Sequence, residues 1–171
     1  MDPAFFDGKK ACCFTGHRPD ALPAPGTADD TKLRLLLMDA VTRAAEAGVT
    51  RFNNGGARGF DLLCGEAVLA AKENGHPALS LHLYLPSPKH TEGWSKEDLA
   101  RFARLSEAAV ETAYAATANY PHAYLTRDRH LVDDADCCIC YLKKMRGGTL
   151  YTVNYALDKN IPVMNLYDAF R

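Results

Sequence analysis

Residues 54–61, Asn-Gly-Gly-Ala-Arg-Gly-Phe-Asp, join a short apolar segment to an apolar-periodic one. Gly55, Gly56 and Gly59 let the backbone turn sharply and let another molecule approach its N–H groups. The first turn of a helix beginning there adds unpaired donors and a positive dipole end, a seat for an anion. Arg58 contributes a fixed charge whose fork suits phosphate or carboxylate. Asp61 is placed to cap N–H groups or to accept from ligand hydroxyls. The loop lacks the Gly-Lys-Ser/Thr ending of P-loop ATPases. Its residues describe a cradle for phosphate and sugar.

Two further stretches carry related chemistry. Gly16-His17-Arg18-Pro19 follows an apolar run, where His17 can bond a phosphate or a base; a lone histidine gives no ground for a metal. Arg146-Gly147-Gly148-Thr149 repeats the arginine-and-glycine logic as a second anion seat, or is an ordinary helix start with Thr149 as N-cap. We expect the phosphates between the Gly55–Gly59 and Gly147–Thr149 loops, with Arg58 and Arg146 pairing their charge. Trp94, with Lys89 and His90, either covers a bound base or anchors a loop on the core.

These loops need a scaffold, and the chain alternates strands with helices. Lys10 to Thr15 is a continuous apolar run of the buried-strand kind. Asp29 or Asp30 caps a helix in which Leu33, Leu36, Leu37, Ala40, Val41, Ala44 and Ala45 recur at three- and four-residue steps before Gly48. Further strands are expected over 49–53, 78–85, 109–114, 136–142 and 161–166. Helices are expected over 60–73, 96–106, 127–134 and from Gly147 onward, with 117–125 as a loop. The pattern predicts an α/β fold, a doubly wound, mostly parallel sheet with helices on both faces. Residues 1–8 carry no period and form an arm; 9–171 form a single domain. In such sheets ligands bind outside the carboxyl ends of strands where the strand order reverses. The loops after the first, second and fifth strands all leave carboxyl ends.

The net charge of −1, with both signs interspersed, argues against a basic nucleic-acid footprint. It leaves room for a small anion held by two or three arginines. No run approaches the roughly 18 apolar residues of a membrane span, and residues 1–7 are too short and acidic for a signal peptide. A cytoplasmic protein without membrane partner is expected. Cysteines 12, 13, 64, 137, 138 and 140 show no two-pair zinc spacing. Small buried thiols are the better reading.

Thr15-Gly16-His17-Arg18-Pro19, Gly55-Gly56-Ala57-Arg58-Gly59-Phe60-Asp61, Arg127-Asp128-Arg129-His130-Leu131-Val132-Asp133 and Arg146-Gly147-Gly148-Thr149 occur in this order. The ordered set resembles the YpsA-like branch of the SLOG superfamily, whose relatives include DprA and the LOG phosphoribohydrolases. The resemblance covers about residues 9–167. It implies a Rossmann-like fold and a nucleotide or nucleotide-derived ligand, ADP-ribose-like or NAD-like; our first expectation is a sensor or regulatory protein that binds it. The resemblance also brings Arg127, Arg129 and Asp133 toward the ligand, with Asp133 on ribose hydroxyls as one role; the alternative is a solvated helix face. One departure bears on catalysis: the LOG hydrolases carry Pro-Gly-Gly-x-Gly-Thr-x-x-Glu, and here Thr152 stands at the Glu position. A hydroxyl is no general base near neutral pH, so LOG-type chemistry is not expected. Asp61 and Asp133 remain candidate catalytic groups for another hydrolysis, of a nucleoside monophosphate or an NAD-derived metabolite. DprA-like single-strand DNA binding is the third class, against which sparse basic clustering weighs. A domain of this kind often self-associates into a homo-oligomer.

Overall fold

The computed structural model describes residues 1–171. Its strands are β1 (Ala11–Gly16), β2 (Arg51–Asn54), β3 (Ser80–Leu85), β4 (Glu111–Tyr114), β5 (Cys137–Tyr141) and β6 (Val163–Asn165). Its helices are α1 (Ala28–Glu46), α2 (Phe60–Glu73), α3 (Lys96–Ala108), α4 (Pro121–Asp133) and α5 (Gly147–Asp158). The six strands form one sheet in the order β4-β3-β2-β1-β5-β6, and every pairing is parallel. The fold is Rossmann-like, with a wholly parallel sheet.

Strands buried on both faces need apolar residues at successive positions, and β1 and β5 supply them with cysteines. Cys12 and Cys137 enter the larger core with Phe14, Phe52 and the inner faces of α1 and α2. Cys13, Cys138 and Cys140 enter a second core with Leu131, Val132, Val153 and Ala156 of α4 and α5. The two faces follow from the period of two along a strand. All six cysteines are free and buried.

The order reverses at β1: the chain winds outward through β2, β3 and β4, then returns to place β5 on the other side of β1. The crevice between the carboxyl ends of β1 and β5 is the topological switch point. No helix is long and apolar enough to cross a membrane.

Four local details differ from the sequence expectations. α1 is capped by Thr27, whose Oγ1 accepts from the Asp30 N–H at 3.2 Å. Asp30 reaches back to the Gly26 N–H at 3.0 Å, the reciprocal logic of a capping box. α4 starts at Pro121, inside the expected loop, because proline is preorganised for the first helical position. α5 starts at Gly147, so Thr149 lies inside the helix and is not its cap. The arm over residues 1–8 is not free of the domain, since Phe6 is buried in the larger core.

Candidate functional site

A cavity of about 300 Å³ opens at the switch point. Its floor is the end of β1, Phe14 to Gly16, and its walls are the loops after β1 and β5, the inner face of α4 and the start of α5. Gly16, His17, Arg18, Asp61, Arg146, Gly147, Gly148 and Thr149, all expected at the ligand, line it.

The two glycine loops do different work. In the first, the space beside each glycine is already filled by protein. A Cβ on Gly55 would stand 2.8 Å from both the Arg127 guanidinium and the Asp61 carboxylate. One on Gly56 would strike Leu85, and one on Gly16 would strike the Phe60 ring. Gly59, at φ 88° and ψ −124°, would press a Cβ within 2.6 Å of the His17 carbonyl. The Phe60 N–H donates to that carbonyl at 3.1 Å, so part of the α2 terminus is spent on the loop after β1. Asn54 braces the turn by accepting from the Gly56 N–H at 2.8 Å and donating to the Asp61 carbonyl at 2.7 Å. These glycines let loops and side chains close-pack; Gly55, Gly56 and Gly59, expected at the ligand, do not line the cavity.

The second loop is open. A Cβ on Gly147 would meet nothing within 4 Å, and one on Gly148 would meet only the Asp128 carboxylate at 3.6 Å. No side chain caps the α5 terminus. Its N–H groups and dipole therefore face the cavity, with Lys144 and Arg146 beside them. This is the better anion seat of the two.

His17 organises that loop instead of presenting both nitrogens to a ligand. Its Nε2 accepts from the backbone N–H groups of Lys143 at 3.0 Å and Lys144 at 2.9 Å. Burial, assisted by the Lys144 cation, holds its pKa below the ordinary 6.5. The ring is neutral, with its proton on Nδ1.

Two acidic groups share the cavity with these cations. Asp61 is buried, and its carboxylate accepts from the Ala57 N–H at 3.2 Å. Burial raises its pKa above the ordinary 3.8 against the pull of Arg127 and Arg18. Asp128 accepts from Arg127 Nε at 2.7 Å through one oxygen and turns the other toward Gly148. Arg127 is 4% exposed; its other arm donates to the Gly55 carbonyl.

Arg129 and Asp133, expected near the ligand, stand outside this cavity. Arg129 donates to Thr126 Oγ1 on the exposed side of α4. Asp133 accepts from the Tyr155 hydroxyl at 2.7 Å near the far end of the helix. Arg127, expected with them, does face inward, and Asp128 joins it. Arg58 is displaced as well, into a neighbouring cavity of about 100 Å³ beside Trp94. It therefore does not pair with Arg146 across one anion. Thr152 is fully buried, and its hydroxyl donates to the Gly148 carbonyl at 2.8 Å.

Comparisons with known proteins agree with this geometry at the level of fold. DNA processing protein A from Helicobacter pylori, described for its single-stranded DNA binding mode, is 16% identical with a TM-score of 0.62. The superposition covers 95% of this chain and 67% of that one. DNA processing protein A (DprA) from Streptococcus pneumoniae is 14% identical at the same TM-score, over 94% of this chain and 50% of that protein. No curated protein matches the sequence. The family described as YspA SLOG matches residues 12–165, and the chain belongs to it.

Proposed function

We propose that the protein binds a nucleotide-derived small molecule, ADP-ribose-like or NAD-like in its sugar-phosphate part, as a sensor or regulatory protein. The observation that carries this reading is the pairing of opposite chemistries in one crevice. The open α5 terminus, Lys144, Arg146 and Arg18 suit phosphate oxygens, while the carboxylates of Asp61 and Asp128 suit hydroxyls. A site for inorganic phosphate alone gains nothing from two carboxylates, whereas a sugar phosphate uses both sets. The phosphate belongs at Gly147 and Gly148, and the ribose belongs between Asp61 and Asp128. Thr152 offers no base for LOG-type cleavage, which favours binding over turnover.

A thermal-shift series with AMP, ADP-ribose and NAD, followed by mass spectrometry of each mixture, tests this. A ligand bound only by the folded state raises Tm with its occupancy. Intact ligand with a shift lost in Arg146→Ala supports the sensor. Cleaved ligand would make the protein a hydrolase, with Asp61 the first group to replace. No shift with any compound would overturn the reading.

The structural likeness to DprA favours a second reading, single-stranded nucleic acid. Oligonucleotide binding that weakens steeply with added salt, with no response to the small nucleotides, would decide for it.

A further inference from the structure

The crevice does not end at Arg18 and Arg127. Both arginines also line the smaller cavity on their far side, whose remaining wall includes Arg58, Trp94, Tyr124 and His90. The sugar-phosphate reading leaves that second cavity unused. We infer that it is a ring compartment, taking the nucleobase of a ligand whose sugar phosphate lies in the crevice; this rests on the sugar-phosphate reading above.

Three observations support it. Flat groups are already arrayed there: the Arg58 guanidinium stands over Trp94 at 5.8 Å, and that of Arg127 over Tyr124 at 5.9 Å. Aromatic and guanidinium planes are the surfaces on which bases stack, whatever their sequence identity. The Trp94 ring is also braced, edge-on to His90 at 5.3 Å and to Phe102 at 5.9 Å, so it is fixed as a wall. Finally, His90 is 8% exposed and its Nδ1 is the one buried side-chain polar atom with no hydrogen-bond partner. Its Nε2 faces the Gly56 carbonyl at 3.1 Å and carries the proton. The His90 ring, set against the Gly56 carbonyl and edge-on to Trp94 and Phe102, is therefore a fixed side of this wall.

Trp94 is the only tryptophan, so its fluorescence reports on this cavity alone. Titrations of AMP and of ribose 5-phosphate, read by Trp94 emission and by calorimetry, separate the two compartments. We expect both to bind, AMP at least about tenfold more tightly, with emission quenched by AMP only. Trp94→Leu and, as a variant on an exposed side chain, Arg58→Ala should each weaken AMP about three- to tenfold and leave ribose 5-phosphate unchanged. Equal affinities with unquenched emission would overturn the ring compartment and leave the crevice reading standing. Binding of neither compound would overturn both.

Discussion

The backbone N–H of Lys144 donates to Nε2 of His17 at 2.9 Å, tying the loop after the first strand to the loop after the fifth. This contact sets the position of the proposed anion seat, because Arg146 and Gly147 follow immediately. It also makes the seat sensitive to acid. A protonated imidazole would aim an N–H at two N–H donors.

Stability should therefore fall as pH drops through the histidine range. The folded state keeps His17 neutral below 6.5, whereas the unfolded chain takes up the proton there. The stabilisation is complete above about pH 6.5 and is lost on the acid side, by at most about 1.4 kcal/mol per pH unit for one group. Melting curves from pH 8 to 5.5 should show the slope, and His17→Gln should flatten part of it. His82 and His90 are also held low by burial, so the variant will retain some slope. An unchanged slope would sink the assignment to His17.

Asp61 should behave in the opposite sense. Its folded pKa is raised, so the folded state holds this proton more tightly than the unfolded chain. Its contribution to stability falls as pH rises from about 4 toward the folded value. Asp61→Asn removes that dependence. The variant's Tm relative to wild type should climb as pH rises above about 4, and a difference that stays flat would contradict the burial argument.

Glycine substitutions should separate packing from ligand approach. Gly16→Ala forces a methyl into the Phe60 ring and should cost about 1–3 kcal/mol. Gly148→Ala meets only Asp128 at 3.6 Å and should stay within about 0.5–1 kcal/mol of wild type. Its nucleotide affinity should nevertheless fall at least severalfold. Chemical denaturation paired with calorimetric titration reads both quantities.

Arg127 should prove the costliest single side chain in the site to lose. Arg127→Ala leaves the Gly55 carbonyl and the Asp128 carboxylate without their buried partner, a loss on the order of 3–5 kcal/mol. Arg127→Lys should recover little, since an ammonium cannot reproduce the fork that spans two acceptors. Urea unfolding of both variants checks this, and full recovery by lysine would refute the two-arm role.

Much of the fold is legible in the amino-acid order. Apolar runs bounded by glycine and proline locate the strands, and their alternation with helices specifies a parallel sheet. The glycine loops mark the carboxyl edge. Direction is harder to read. Arg127 and Asp128 lie four residues before the buried Leu131 and Val132, a spacing that puts all of them on one helix face. Within the charged string from Arg127 to Asp133, only that spacing separates the inward pair from Arg129 and Asp133. Glycine is ambiguous for a physical reason: a missing side chain makes room equally for a ligand and for the protein's own atoms. Only the neighbours of Gly55 and Gly148 tell the two uses apart. Asn54, which braces the first loop, carries no signal beyond its place beside two glycines.

The central strand finds its second partner late. Cys12 pairs with Cys137 and Gly16 with Tyr141, across more than a hundred intervening residues, and such closures slow folding. On a ribosome, β1 would wait with one edge bare while the more than a hundred residues that precede β5 are made. The walls of the crevice come from opposite sides of that closure, so chains that stop short of β5 should be unable to hold the proposed ligand. Binding should switch on in a single late event, and a ligand present during refolding should capture the chain only after β5 has docked.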